Sequence, residues 1–240
     1  MPRMRILTVS EQETFDRPPL FDHRERKKFF ECPKALLDIA QSMRGPDHQV
    51  GFLVSCGYFQ ATRRFFVNAD FEPRDVAYVA NQLGTNDTST NTYPDRTRQR
   101  HRQRILDFYG FTPLDDEAEA TLAVEIATMA RTHLKPRLIF DRCVDFLIQR
   151  RVQVPKSGVL LELIRSWLHT RKAELIALMD AHLIDEARNL LDDFFATPDD
   201  QNRYRLTLLK KLSQSTKPMR IKEDVADFET MTALYGDECR

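Results

Sequence analysis

The 240-residue chain is 42% hydrophobic, carries 36 basic and 36 acidic residues, and has only seven glycines. This composition excludes a wholly disordered chain and favours helices over a turn-rich sheet protein. No apolar run approaches the roughly 18 residues of a membrane span, the first residues lack the apolar core of a secretory signal, and the scattered cysteines are typical of a reduced, cytoplasmic protein.

The N-terminal part of the chain carries the capping signals of short helices. Thr8 and Glu11 have the spacing of a capping box, and Asp22 is placed to cap a basic helix that runs through Lys28. Pro33 suits the first turn of the helix after that. We therefore expect three short helices before the first apolar one.

Two apolar helices follow and form the predicted core of this half. Val50, Val54 and Tyr58 recur at every fourth position and mark the central helix of that core. The stretch 73–84 has a second apolar stripe and ends on a glycine, a typical helix C-cap. The polar residues 85–95 then predict a loop.

The segment 96–111 concentrates five arginines in nine positions and closes on aromatic residues and a glycine. Residues two apart on a helix lie on different faces, so the arginines must divide into two groups. The group on one face is Arg96, Arg100 and Arg104. The group in line with the apolar C-terminal end is Arg98 and Arg102. The apolar residues predicted to anchor this end are Ile105, Leu106, Phe108 and Tyr109.

A helix that is packed by its C-terminal end and charged at its N-terminal end suits insertion into a DNA groove. Arginine is the commonest guanine reader, and Gln99, His101 and Gln103 carry further groups that can hydrogen-bond bases. We therefore predict that this helix makes the primary DNA contacts. Arg63 and Arg64, at the end of the preceding long helix, are predicted clamps on the DNA backbone.

A solvated, charge-rich face is the alternative for this helix, and it stays open. Like charges four residues apart cost a few tenths of a kcal/mol each, and residues 96–104 contain no acid to relieve them. This favours a nucleic-acid partner. A membrane-surface helix is less well supported, because the apolar face is short and is needed for the core.

The C-terminal half is predicted to be helical as well. Thr112 and Pro113 are expected to begin a helix of about 20 residues with acids in its first turn. The stretch 137–150 has apolar residues in register, and Ser157 can cap a long helix that runs to residue 183. The later predicted helices are 184–195, one that opens at 197–199, and 222–235.

The block 131–172 holds ten basic and three acidic residues and has the outline of a second helix-turn-helix unit. The early turns of its second helix are apolar apart from Glu162, so we expect contacts with phosphates more than with bases. The predicted contacts are the polar and basic residues of the turn and the second helix: Arg150, Arg151, Lys156, Ser157, Arg165, His169, Arg171 and Lys172.

Motifs of catalytic or metal sites are absent from the sequence. The six histidines show no HxxxH or HExxH spacing, and there is no GxGxxG, P-loop or GxSxG pattern. The acid pairs 115–116, 192–193 and 199–200 raise the idea of a two-metal site, but their positions favour helix capping and solubility. We therefore predict no catalytic residue, no metal and no cofactor.

Several pieces of the sequence resemble, in order and spacing, the N-terminal region of replicative transposases of the Tn-three family. The pieces are HQVGFLVSCGYF (48–59), DVAYVANQLG (75–84) and YPDRTRQRHRQRILDFYGF (93–111). Arg98 and His101 occupy the Arg-x-x-His positions of the last piece. The opening residues 1–15 also fit, and the resemblance extends to about residue 185.

This resemblance implies a helical region that binds the double-stranded DNA of the transposon's terminal inverted repeats, in the bacterial cytoplasm and on the nucleoid when bound. In such transposases, catalysis belongs to a later RNase H-like domain with an acidic triad and Mg²⁺, for which the residues after 185 are too few. The chain is therefore expected to be a fragment or truncated product that is not an enzyme by itself. Any homodimer is expected to form through the rest of the transposase.

The expected fold is all-α, with many helices and two helix-turn-helix-like subdomains. The expected division is a first DNA-binding subdomain (1–112), a connecting helix (113–134), a second subdomain (135–215) and the start of a further helical segment (216–240). Charge alternates in blocks along the chain, +5 in 96–104, −5 in 111–130 and +7 in 131–172. An all-helical protein-interaction module that pairs such blocks is the alternative function.

Overall fold

A computed structural model describes residues 5–85, 95–132 and 135–182, and four further positions up to 192. Within these residues the chain forms nine α-helices, one short 3-10 helix and a single isolated β-bridge. The predicted all-α class is therefore confirmed. Most of the loop predicted at 85–95, most of the helix predicted at 184–195, and the helices predicted at 197–199 and 222–235 lie outside the described residues.

The helices follow the chain in two groups. The first group is α1 (Val9–Asp16), α2 (His23–Phe30), α3 (Lys34–Gln41), α4 (Pro46–Thr62), α5 (Pro73–Gln82) and α6 (Asp95–Tyr109). The second group is α7 (Asp116–Arg131), α8 (Pro136–Gln149) and α9 (Ser157–His182). A boundary between two units falls after residue 172, within α9, and the described residues beyond it continue α9 to His182.

The helix ends follow the capping signals of the sequence. The Thr8 hydroxyl accepts from the backbone N–H of Glu11, whose carboxylate accepts in return from the N–H of Thr8. Asp22 forms the same reciprocal pair with its third helical residue. Gly84, two residues after α5, and Gly110, directly after α6, take left-handed φ angles of 68° and 66°, a conformation that glycine adopts without steric cost.

The first hydrophobic cluster surrounds α4, whose residues 50–59 are all buried except Ser55. Helices α2, α3, α5 and α6 pack against it. At Gly57, a Cβ atom would lie 2.3 Å from the Phe30 ring of α2, so only glycine permits the observed approach of these two helices. The sequence prediction of a central helix at Val50–Tyr58 is confirmed.

A buried polar network joins three helices of this cluster. The fully buried carboxylate of Asp75 on α5 accepts from Arg26 Nε of α2 at 2.6 Å and from the Tyr58 hydroxyl of α4 at 2.8 Å. The same hydroxyl accepts from the backbone N–H of Glu72 at 3.1 Å. Burial raises the pKa of Tyr58, so the phenol stays protonated and serves as the donor to Asp75.

The second hydrophobic cluster combines α7, α8 and α9 with the N-terminal residues Ile6 and Leu7. Its centre contains fully buried side chains of each helix: Leu122, Ile126, Ile139, Leu147, Leu160 and Ile164. Its buried members all follow residue 112 except Ile6 and Leu7, and the half-buried Phe15 of α1 also packs against it.

Backbone hydrogen bonds connect the segments that follow α4, α6 and α8. The N–H of Thr112 donates to the carbonyl of Arg151 at 2.9 Å, and the N–H of Gln153 donates to the carbonyl of Thr112 at 2.8 Å. The N–H of Val154 donates to the carbonyl of Arg63 at 3.0 Å. Backbone hydrogen bonds therefore join the two clusters in addition to the covalent chain.

The predicted start of α7 at Thr112 and Pro113 is wrong. The helix begins at Asp116, and the Asp115 carboxylate caps it by accepting from the N–H of Ala118 at 2.9 Å. The backbone of Thr112 is extended into the bridge with Val152 instead.

Among the helices that the structure describes, none combines the length and the hydropathy that a membrane span requires.

Candidate nucleic-acid interface

The arginines of α6 divide as the helical spacing predicts. The exposed set on the outer face is Arg96, Arg100 and Arg104. Gln99 and Gln103 are exposed on the same side of the helix. The outer face therefore presents three guanidinium groups and two amides, all of which can donate to phosphates or to base edges.

Arg98 and Arg102 are half-buried on the inner side of α6. The guanidinium of Arg102 lies 5.3 Å from the centroid of the Phe65 ring, a cation–π distance. Its charge therefore contributes to packing against the chain that follows α4. Both sets consist of arginines, but the first set is exposed to solvent and the second pair is half-buried.

His101 is buried against Phe52 of the first cluster, whereas the sequence predicted that it contacts DNA. The residue is 7% exposed, and its ring centroid is 5.5 Å from that of Phe52 and 6.0 Å from that of His48. Burial, with smaller contributions from His48 and Arg104, lowers the pKa of His101 to about 4. His101 is thus neutral at pH 7 and packs against α4.

The buried part of α6 therefore begins at His101, one turn before the predicted anchor at Ile105. His101, Ile105 and Leu106 are all buried, whereas Phe108, which the sequence analysis placed among the anchors, is 38% exposed. The Tyr109 ring packs 5.6 Å from Phe59 of α4. A helix held along this length presents its outer face in a fixed orientation.

Two exposed side chains of the outer face are joined by a hydrogen bond. Gln103 Nε2 donates to Asp107 Oδ1 at 2.8 Å, across one turn of α6. Asp107 was not among the residues predicted from the sequence. Its spacing of four residues from Gln103 is the signal that points to it.

Arg63 and Arg64 take part in packing at the end of α4. Arg63 has a left-handed φ of 59° and its guanidinium lies 5.3 Å from the Phe111 ring. The guanidinium of Arg64 lies 4.1 Å from the Phe15 ring and donates to the carbonyl of that residue. Burial lowers the pKa of Arg64. Neither arginine extends freely as the predicted clamp on DNA would require.

The turn between α8 and α9 presents three exposed basic residues, in differing surroundings. Arg150 stacks over Phe146 at 5.3 Å and lines a groove of about 420 Å³ that also contains Glu117 and Glu125 of α7. Arg151 donates to the carbonyl of Tyr109 at 3.5 Å, at the C-terminal end of α6. Lys156 is exposed. All three residues are exposed, but Arg150 and Arg151 already contact other parts of the protein.

The sequence predicted that the Ser157 side chain caps α9. In the structure, Ser157 is instead the donor to an acceptor from α1. Its N–H and its hydroxyl both donate to the carboxylate of Asp16 from α1, at 2.8 Å and 2.7 Å. Ser157 is 1% exposed. The acceptor at this helix end therefore comes from 141 residues earlier in the chain, which no local pattern indicates.

The remaining candidates of α9 are unevenly available. His169 and Lys172 are exposed, whereas Arg165 and Arg171 are half-buried. The Nε atom of Arg165 is itself buried. Within the described residues, no three His, Cys, Asp or Glu side chains come together as a set of metal ligands.

Comparison with known proteins places the chain in one family. The profile of a domain of unknown function (DUF4158) matches residues 6–167, which include both hydrophobic clusters and the whole of α6. No curated protein matches the chain at a significant level.

Proposed function

The chain belongs to the DUF4158 family, and from the outer face of α6 we propose that it binds double-stranded DNA sequence-specifically. The proposed target is the terminal inverted repeat of a transposon, and the chain acts as the DNA-recognition part of a Tn-three-family transposase. Two findings support this context: the sequence resemblance at 48–111 and the occurrence of DUF4158 domains in transposases of that family. The strand-transfer chemistry belongs, in this proposal, to another part of the transposase.

The observation that carries the proposal is the exposed row of Arg96, Arg100 and Arg104 on a helix that is otherwise firmly packed. Like charges four residues apart disfavour a helix, so the row carries a cost for the free protein. A phosphate backbone offsets this cost, because each neutralised phosphate releases a condensed counterion. The row therefore fits a polyanionic partner better than solvent.

The rigid anchoring of α6 supports base recognition beyond charge neutralisation. The buried His101, Ile105 and Leu106 fix the rotation of the helix about its axis, which decides which side chains reach a groove floor. Gln99 and Gln103 carry both donors and acceptors, as base readout requires. Exposed Arg151 and Lys156 supply further phosphate contacts from the α8–α9 turn.

The test compares binding of the 240-residue chain to two duplexes by fluorescence anisotropy at two salt concentrations. One duplex is enriched by the chain from a randomised library and the other is its scrambled version. We expect tighter binding to the enriched duplex, and a salt dependence that falls by about one unit for each phosphate-contacting arginine removed.

Equal and weak binding to both duplexes would overturn the claim of specific recognition. Size-exclusion chromatography with light scattering then tests the alternative function by measuring the oligomeric state. A salt-sensitive oligomer without DNA affinity would support the protein-interaction module that pairs basic and acidic blocks, such as the exposed acids Asp116, Glu117 and Glu119 of α7.

A further inference from the structure

The hydrogen bond between Gln103 and Asp107 lies in the middle of the outer face of α6. At about 100° per residue, Gln103, Arg96, Asp107 and Arg100 fall within an arc of about 60° on the helix surface. All four side chains are exposed. Buried His101 and Ile105 lie on the opposite side. A partner that covers the arginines therefore also covers this pair.

The carboxylate of Asp107 decides which end of the Gln103 amide it holds. An ionised carboxylate accepts hydrogen bonds and cannot donate them, so it binds the NH₂ group of an amide and not its oxygen. The Nε2 to Oδ1 distance of 2.8 Å fits this arrangement. One N–H of Gln103 is used, and its second N–H and its Oε1 remain as an adjacent donor and acceptor.

An adjacent donor and acceptor match one base in the major groove. Adenine presents the N7 acceptor beside the N6 amino donor, whereas guanine presents two acceptors, N7 and O6. The second N–H of Gln103 can donate to adenine N7 while Oε1 accepts from adenine N6. Against guanine, Oε1 would face another acceptor. The held amide thus discriminates between the two purines.

From this geometry we infer that Asp107 is a positioning residue that holds the Gln103 amide to read adenine in the major groove, an inference that rests on the proposed function of α6. The negative charge of Asp107 supports the same placement. A carboxylate repels phosphates, so this turn of α6 faces base edges while Arg96 and Arg100 reach the backbone. The predicted ligand is therefore a DNA duplex that presents an adenine to Gln103.

A stabilising role within the helix is the competing account of this pair, because glutamine–aspartate bonds four residues apart stabilise isolated helices. The two accounts differ in what Asp107→Ala changes. Loss of helix stabilisation alters unfolding but leaves base preference intact. Loss of orientation removes the preference at one base pair and leaves the others unchanged.

The experiment measures base preference with the full chain and a panel of duplexes derived from the library-enriched one, each with one base pair replaced. The variants are Gln103→Ala, Asp107→Ala, Asp107→Asn and the double alanine variant. Glu119→Gln, which removes one exposed acidic charge from α7, is the matched control. Far-ultraviolet circular dichroism of each variant reports its folding.

For the wild-type chain we expect adenine to be preferred over guanine by about 5- to 150-fold at one position, the discrimination of a bidentate contact. Gln103→Ala and Asp107→Ala should each abolish the preference at that same position, and the double variant should lose no more than either. Asp107→Asn should weaken the preference without abolishing it, because the asparagine amide can accept from Gln103 through Oδ1 but can also donate to Gln103 Oε1. Glu119→Gln should leave it unchanged.

Retention of the adenine preference in Asp107→Ala would overturn the inference, as would a uniform gain of affinity for every duplex. Retention of all preferences in Gln103→Ala would overturn it as well. A wild-type chain that binds all duplexes alike would instead refute the proposed sequence-specific function and the inference together. The two failures are therefore distinguishable within one set of measurements.

Discussion

Helix α6 and the α8–α9 block carry similar basic residues, yet the structure surrounds them differently. On α6, the row of Arg96, Arg100 and Arg104 lies exposed on a helix whose opposite side is buried. In the second block, Arg150 shares a groove with two glutamates and Ser157 is bound by Asp16. The number of basic residues in a segment therefore says less about DNA binding than the partners each one already has.

The largest expected difference between α6 and the α8–α9 block is in their contribution to DNA affinity. The triple variant Arg96→Gln, Arg100→Gln and Arg104→Gln should lower the salt slope by about 2.7 and the affinity at about 0.1 M salt by several hundred-fold, since three phosphate contacts are lost. Anisotropy titrations over a salt series measure both. The matched control is a triple glutamine variant of the second block at 150, 151 and 156, for which we expect a smaller loss. Equal losses would remove the distinction between the two regions.

The second prediction is that burial of His101 makes the free energy of unfolding depend on pH. Its pKa falls from 6.5 to about 4 on folding because burial disfavours the charged form. The unfolded chain therefore binds the proton more readily, so this contribution is fully present above pH 6.5 and is lost as pH falls towards 4. Its size is up to about 3 kcal/mol.

Urea unfolding of the wild-type chain and of His101→Phe at several pH values tests this expectation. The phenylalanine variant should lose stability less steeply between pH 6.5 and 4, because it has no imidazole to protonate. Parallel pH profiles for the two proteins would show that His101 is solvated and free to face a ligand.

The third prediction tests whether Ser157 is structural. Asp16→Ala leaves the N–H and the hydroxyl of Ser157 without their acceptor and should destabilise the chain by about 1–3 kcal/mol. Ser157→Ala removes only the hydroxyl bond and should cost less. Neither variant should change the salt slope of DNA binding. A lower slope for Ser157→Ala at unchanged stability would restore Ser157 as a phosphate contact.

The smallest prediction separates the two sets of arginines within α6. Arg102→Gln removes the cation–π contact with Phe65 and should destabilise the chain by about 0.5–1 kcal/mol. Arg100→Gln should leave the unfolding free energy nearly unchanged and lower the salt slope by about 0.9. Thermal unfolding and anisotropy of both variants give the comparison. An exchange of the two effects would mean that the helix is rotated from its described position.

Local patterns in the sequence predicted most of the helices. The capping box at Thr8 and Glu11, the central helix around Val54 and the glycine stop at Gly110 depend on neighbouring residues alone, and the structure has all three. The start of α7 was misplaced because the backbone of Thr112 pairs with a segment about 40 residues away. Long-range pairing of this kind leaves no local signature.

The candidate site was predicted less completely, for the same reason. Helical spacing separates Arg100 from Arg102, since that division is a property of one helix. The burial of His101 against Phe52 and the Asp16 acceptor at Ser157 depend on how distant helices pack. Polar residues on a basic segment look alike in sequence until their tertiary partners are known.

Amide chemical-shift mapping tests the central claim most directly. Addition of the library-enriched duplex to the ¹⁵N-labelled chain should shift the amides of residues 95–107 most strongly, with smaller shifts at 150–156 and little change in α7. The pattern follows from the exposed row of arginines on α6, whereas Arg150 is stacked over Phe146. Shifts centred on α8 and α9, with α6 unaffected, would contradict the proposal that the outer face of α6 recognises DNA.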